Sequence, residues 1–255
     1  MKILTLDIET APNLAHVWQF YNTNVGPNQV MDHCHILSWA AKWLDDDFVH
    51  YEDISKQSEK KMLKKLNVLL DECDAIVGHN AKKFDMPKIR GRSMLHGLQP
   101  ASPYKEIDTC RIARREFGFD ANSLKYLASV LGLEQQKSSH QSFVGHDLWT
   151  GCLNNDPEAW AEMKAYNMQD VIVTEELYLK IRGYDRLHPN VAVYAESEEI
   201  LCPKCGSGNT IKQGFAYTNV SKFQQYQCKD CGGWHRSRTT EYPKELSKSL
   251  LVNAI

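Results

Sequence analysis

The sequence predicts an α/β fold, a mixed β-sheet flanked by helices, joined to a small cysteine-bearing segment. Three observations carry this expectation. The opening run ILTLDIE is apolar on both faces before its acids appear, helical and strand-like segments alternate from about residue 58 to residue 182, and two CxxC pairs sit together near the end. The 255 residues are 42% hydrophobic and 24% charged, values of an ordinary globular chain, which argue against disordered and fibrous classes.

Each element has its own signal. An apolar opening strand reads as central, buried by layers on both sides. A polar loop follows from about Ala11 to Asp32, then strand-like runs His35–Trp43 and Phe48–Tyr51 flank an Asp45-Asp46-Asp47 turn. These three strands are expected to form an antiparallel meander. Ser58 reads as an N-cap for a helix whose apolar positions Met62, Leu63, Leu66, Leu69, Leu70 and Cys73 recur at helical spacing up to a short strand at Ala75-Ile76-Val77. A helix start is expected at Asp85-Met86-Pro87, a short strand over Tyr104–Thr109, and helices over Thr109–Phe117 and Ser123–Val130, the second stopped by Gly132. Residues 134–155 read as a polar loop, and Asp156-Pro157-Glu158 starts a long helix to about Arg182. The expected organisation is a domain over residues 1–183, a linker over 184–200, a metal-binding segment over 201–240 and a tail over 241–255.

Three stations along the first domain carry acids in suggestive places. Asp7 and Glu9 are two apart on a predicted strand and so share a face, with carboxylates about 6–7 Å apart. At the end of a buried strand such a pair is costly to ionise unless a cation neutralises it; the alternative is that the strand ends there and both acids are solvated. The second station is Gly78-His79-Asn80 followed by Phe84-Asp85, where an acid opens a helix, a position the helix dipole alone would favour. The third is Tyr166 with Asp170, four apart and therefore on one face of the long helix. Asp170 lies close to the apolar stripe and needs a metal or a cationic side chain as partner.

Together these stations resemble the DEDD superfamily of 3′-to-5′ exonucleases, the DnaQ-like branch of the ribonuclease H-like fold. The matching pieces are Asp7-Ile8-Glu9-Thr10, Asn80 with Phe84-Asp85, and Tyr166 four residues before Asp170, the tyrosine marking the DEDDy subgroup. Ile107-Asp108-Thr109 and Ser123-Leu124-Lys125-Tyr126-Leu127 are similar to family segments as well. The resemblance implies two-metal phosphodiester hydrolysis releasing nucleoside 5′-monophosphates. It assigns Asp7, Glu9, Asp85 and Asp170 to two Mg²⁺ ions, with Mn²⁺ as substitute, and Tyr166 to orienting the attacking water, since a free phenol with a pKa of about 10 is a poor base. Asn80, His79 and Thr10 are expected beside the substrate. In the 134–150 loop Lys137, His140 and His146 are candidate phosphate contacts, although a solvated loop is the simpler reading.

The cysteines divide by position. Cys34, Cys73, Cys110 and Cys152 are scattered and read as buried thiols of a reducing compartment. Cys202-Pro-Lys-Cys205-Gly and Cys228-Lys-Asp-Cys231-Gly, separated by 22 residues, point to one structural Zn²⁺ held by four thiolates. A redox CxxC is the weaker alternative, because the second pair makes better sense as ligands. The segment resembles zinc ribbons of insertion-element transposases and other nucleic-acid proteins. Lys212, Phe215, Tyr217, Lys222, Phe223 and Tyr226 interleave cations with aromatics, and Trp234-His235-Arg236-Ser237-Arg238 follows. This surface fits nucleic acid, or else a docking or oligomerisation module serving replication or repair proteins.

Charge is uneven in the same sense. Residues 201–255 hold 8 Lys/Arg against 3 Asp/Glu, or +5, leaving 22 against 29, or −7, for residues 1–200. Four thiolates on Zn²⁺ would lower the tail to +3. No apolar run long enough for a membrane span is present, and a cytoplasmic protein is expected. The functional expectation is an exonuclease preferring single-stranded DNA or DNA 3′ ends. An exoribonuclease is the rival within the same chemistry, and a non-catalytic nucleic-acid-binding module the rival outside it.

Overall fold

The computed structural model describes residues 1–134 and 142–252. In chain order the elements are β1 (Ile3–Thr10), β2 (Leu14–Ala15), β3 (Val30–Asp32), β4 (Ile36–Trp43), β5 (Val49–Asp53), α1 (Glu59–Glu72), β6 (Ala75–Gly78), α2 (Asp85–Leu95), β7 (Lys105–Asp108), α3 (Thr109–Glu116), α4 (Leu124–Val130), α5 (Asp147–Leu153), α6 (Pro157–Ile181), β8 (Thr210–Tyr217), β9 (Lys222–Cys228), β10 (Trp234–Thr240) and α7 (Lys244–Ser247). Two compact units result, Lys2–Tyr178 and a second from Leu179 onward that also counts Met1.

The first unit is a five-stranded mixed sheet in the order β5-β4-β1-β6-β7. The meander expected for the three early strands is present, β4 pairing antiparallel to both β1 and β5, while β6 joins β1 and β7 in parallel. Alternation along β1 sorts its side chains. Leu4, Leu6 and Ile8 enter a core with Trp39, Ala41, the α1 residues Met62, Leu63, Leu66 and Leu70, and Ile89 of α2. By the same alternation Asp7 and Glu9 point to the opposite face, opposite Ala40 and Ser38 in the β1–β4 register. That second face is covered from the C-terminal half of the unit, where Val171 packs on Ala40 and Val49, and Leu148, Cys152, Ala159, Trp160 and Met163 pack on Ala11 and Leu37.

Local chemistry fixes the ends. Ser58 accepts from Lys61 N at the start of α1, Ser123 accepts from Tyr126 N at the start of α4, and Gly132 takes φ +59° after it. Glu59, although buried, is held by Arg92 (Nη2–Oε2 2.5 Å), His96 and the Ile36 amide, tying α1, α2 and β4 together. Gly78 closes β6 where a Cβ would lie 2.5 Å from the Ala81 Cβ and 3.2 Å from the Leu6 carbonyl oxygen. Gly78→Ala is therefore expected to cost about 1–3 kcal/mol by overpacking, read as a lowered urea midpoint with the m-value unchanged.

One expectation is corrected: residues 134–155 are not all loop, because α5 forms where Leu148 and Cys152 bury one turn apart. In the segment expected as a linker, 184–200, Asp185 is buried, Val191–Tyr194 make a 3₁₀ turn, and Val191 N donates to the Pro203 carbonyl. The second unit is otherwise an antiparallel sheet in the order β10-β9-β8 beside the two cysteine knuckles. Among the described residues no helix is long and apolar enough to cross a membrane.

Candidate active site and metal centres

Asp7 and Glu9 leave β1 on the face that α6 covers, and Asp170 of α6 comes to meet them. Oxygens of the three carboxylates lie within 4.8 Å of one another, and Asp170 is 4% exposed. Three anions this close repel strongly where burial removes water, so the arrangement fits a divalent cation, and all-oxygen donors suit Mg²⁺ or Mn²⁺.

Neighbouring side chains hold the carboxylates in place. Asn167, fully buried one turn before Val171, donates from Nδ2 to Asp7 Oδ2 at 2.7 Å and accepts from Ser38 Oγ at 3.0 Å. Trp149 of α5 donates from Nε1 to Glu9 Oε2 at 3.1 Å, and its ring stands edge-on to Tyr166 with centroids 6.2 Å apart. Tyr166 is itself nearly buried, four residues before Asp170 on α6. Asn167→Ala and Trp149→Phe each remove a donor that orients a ligand oxygen. Both should raise the Mg²⁺ concentration for half-maximal activity by about 10-fold or more, measured by Mg²⁺ titration of the rate.

Asp85 opens α2 as expected, and the backbone explains its position. The β1–β6 ladder ends at the Thr5–Val77 pair, so the amide of Ile8, beyond it, is free to donate to Asp85 Oδ1 at 3.1 Å. The fourth acid is thereby fixed to the backbone between Asp7 and Glu9. Burial pushes its carboxyl up to about 7, against the lowering effect of the Ile8 and Asp85 amides. The native state then holds a proton that the unfolded chain releases near pH 4, so stability is lost as pH rises from about 4 through 7, with a slope of about 1.4 kcal/mol per pH unit. Thermal unfolding in Mg²⁺-free, zinc-replete buffer should show this loss between about pH 4 and pH 7, with little further change above it. Asp85→Asn, which keeps an oxygen for the Ile8 amide, should flatten it.

The turn after β6 is held by side chains of the following strand and helix. Asn80 takes φ +64°, and its amide and that of Lys82 donate to Asp108 at 3.0 and 3.2 Å, while Asp108 also caps α3 through Arg111 N. His79, expected beside the substrate, has Nδ1 on Thr109 Oγ1 and Nε2 on the Asn122 carbonyl, each at 2.9 Å. Thr10 closes β1 just past a register shift at Glu9/Thr10 and stays half-exposed. His146 is exposed at the start of α5; Lys137 and His140 lie outside the described residues.

In the second unit the four cysteine sulfurs also lie within 4.8 Å of one another, with Cys202–Cys231 and Cys205–Cys228 Sγ separations of 3.6 Å. A zinc ion with Zn–S bonds of about 2.3 Å requires tetrahedron edges of about 3.8 Å, so the sulfurs already have the spacing of a ligand set. Burial pushes the Cys202 and Cys205 thiols up, the latter to about 11, so a bound cation is what would make them thiolates near neutral pH. His235 places Nε2 3.2 Å from Cys202 Sγ. Burial, with Lys204 adding to it, brings its pKa down to about 4, so the ring is neutral and can donate from Nε2 to a thiolate.

Asn167, Trp149 and His235 were missed as site residues. Asn167 stands at an otherwise apolar position of the long helix, which is the mark of a buried polar group with a job. Trp149 and His235 carry no comparable spacing signal.

The comparisons agree with this geometry at the level of the fold. A model of the RNase_H superfamily matches residues 31–182. The chain belongs to the RNase_H superfamily. The match starts after Asp7 and Glu9 and takes in Asp85, Tyr166 and Asp170. A DNA polymerase of Methanocaldococcus jannaschii is 23% identical over 206 residues, covering 69% of this chain and 12% of the polymerase. The family B DNA polymerase structure from the hyperthermophilic archaeon Pyrobaculum calidifontis superposes with a TM-score of 0.55 at 17% identity, over 72% of this chain and 25% of the polymerase. The chain thus spans only a small part of either relative, and the superposition bears on the fold alone.

Proposed function

We propose that this RNase_H superfamily chain is a metal-dependent 3′-to-5′ exonuclease of the DEDDy type that releases nucleoside 5′-monophosphates. The observation that carries the reading is the convergence of Asp7, Glu9 and Asp170, with Asp85 held at the Ile8 amide beside them. DNA, as a single strand or a 3′ end, is the preferred substrate over RNA, because the two relatives are named as DNA polymerases.

Asp7, Glu9, Asp170 and Asp85 would hold the two Mg²⁺ ions. When bound, such ions neutralise the carboxylates, acidify a water and stabilise both the attacking and the leaving oxygen. The chain's own residues do the positioning. Asn167 and Trp149 aim the Asp7 and Glu9 oxygens, and the Tyr166 hydroxyl, one helical turn before Asp170, orients the attacking water. Thr10, at the end of β1, and Asn80, just past the end of the adjacent β6, would hold the terminal nucleotide, while His79 and Asp108 keep the Asn80 turn in shape. In the second unit Cys202, Cys205, Cys228 and Cys231 would hold one structural Zn²⁺, with His235 steadying Cys202.

The test is a time course with Mg²⁺ on 5′-labelled single-stranded and duplex DNA and RNA. A ladder that shortens from the 3′ end, fastest on single-stranded DNA, is expected. Internal cuts, or intact label on every substrate with Mg²⁺ and with Mn²⁺, would overturn the proposal.

A further inference from the structure

The register of the second unit's sheet divides its strands into two faces. Residues paired across antiparallel strands share a face, so Trp234, Gln227 and Ile211 form one row and Arg236 and Gln225 the next, with Phe223 two residues further along β9. On this face the Arg236 guanidinium lies 4.0 Å from the Phe223 ring centroid, and Trp234 is 47% exposed. The other face carries His235, Tyr226 and Lys212, and it is there that His235 reaches the Cys202 sulfur.

The sheet's charge is all of one sign, with Lys212 and Lys222 on the His235 face and Arg236 on the Trp234 face. Strands β8, β9 and β10 contain Lys212, Lys222, Arg236 and Arg238 and no Asp or Glu, in a chain whose formal net charge is −2. None of the four cations enters an ion pair among the described residues. A guanidinium centred over an aromatic ring is held in place to stack, and an exposed indole one row away offers a second flat surface. Such a face matches a ligand that is both anionic and planar at short intervals.

We infer that the Trp234–Arg236–Phe223 face is a platform for single-stranded nucleic acid, with bases stacking on the indole and guanidinium and the backbone phosphates meeting the β10 arginines, Arg236 and Arg238. A single strand exposes its base faces, whereas a duplex conceals them in the stack and offers this flat sheet only its phosphates. The inference deepens the nuclease reading by naming how the substrate strand is held outside the acidic centre. Binding at the platform does not itself require catalysis.

The experiment measures fluorescence anisotropy of a 5′-labelled oligothymidylate of about 20 nucleotides on the full, zinc-loaded chain. Asp7→Asn serves as the parent so that the label survives. Trp234→Ala and Arg236→Ala should each weaken binding roughly 10-fold, as loss of one stacked base does, and Arg236→Ala should also flatten the salt dependence. Lys64→Ala, on the exposed side of α1, should bind like the parent. Zinc content is assayed for every variant, and if Trp234→Ala loses its metal, Arg236→Gln and Trp234→Phe decide, the first weakening binding and the second largely restoring it. Affinities within about twofold of the parent in zinc-loaded platform variants, or equally tight binding of a blunt duplex, would overturn the inference. Hydrolysis of thymidine 5′-p-nitrophenyl phosphate by the wild-type chain reads the catalytic proposal separately, because so small a diester needs no platform.

Discussion

Asp7→Asn should lower Mg²⁺-dependent hydrolysis by at least about 10³-fold, roughly 4 kcal/mol of transition-state stabilisation, while leaving the fold intact. The side chain sits at the crossing of every line of the site. It is within 4.8 Å of both Glu9 and Asp170 through their oxygens, and it accepts from Asn167, which in turn is anchored to Ser38 of β4. The amide can still accept from Asn167 through its oxygen, so the packing of α6 on the sheet survives. What is lost is one negative charge and the basicity of a ligand oxygen, both of which a hard divalent ion needs. Far-UV circular dichroism and the thermal midpoint should stay close to wild type, and removing a like charge from the cluster should if anything raise the midpoint in Mg²⁺-free buffer. Full activity in this variant would mean that the acids are structural. Tyr166→Phe should be milder, since the phenol, in the role proposed for it, would position a water and carries no charge to the site.

The second large effect is expected on removing zinc. The second unit's sheet has few deeply buried side chains. Of its strand residues only Cys228 is buried, and Tyr217 and Trp234 are largely exposed. A sheet with so little core would depend on a metal at its four cysteines, and structural zinc contributes apparent binding free energies of about 10–16 kcal/mol in small domains. Cys202→Ser, or a strong chelator, should therefore release one zinc per chain and abolish hydrogen-exchange protection across β8, β9 and β10. Amides of β1, β4 and β6 should keep theirs, because their core of Leu4, Leu6, Ile36 and Ile76 is independent of the cysteines. Protection that persists in the sheet after the metal is gone would show that the knuckles are not its fastening.

Much of this was legible in the sequence because the decisive signals are local. A doubly apolar strand ending in Asp7 and Glu9, a phenol and an acid one turn apart, and two CxxC pairs each follow from spacing alone. The central position of β1 and its meander with β4 and β5 were read correctly, since apolarity on both faces demands two covering layers. The supporting contacts were not legible, because they join residues far apart in sequence. Asn167 meets Asp7 across 160 positions and Trp149 meets Glu9 across 140, and no periodicity encodes such a pair. The helix α5 was hidden for a related reason. Its seven residues bury only Leu148 and Cys152, too few to show a period, and its stability comes from packing on Ala11, Leu37 and Ala159. The contacts of His79 with Thr109 and Asn122 were hidden in the same way, because they too join residues far apart in sequence.

The central claim is that Asp7, Glu9, Asp85 and Asp170 form one divalent-metal centre. Titration of the zinc-loaded wild-type chain with Mn²⁺, followed by the electron paramagnetic resonance of the free ion, tests it without reference to any substrate. Saturable loss of the free signal, competed by Mg²⁺ and largely abolished in both Asp7→Asn and Asp170→Asn, is the predicted result. A wild-type chain that leaves the Mn²⁺ signal unchanged, or one whose binding survives both substitutions, would contradict it.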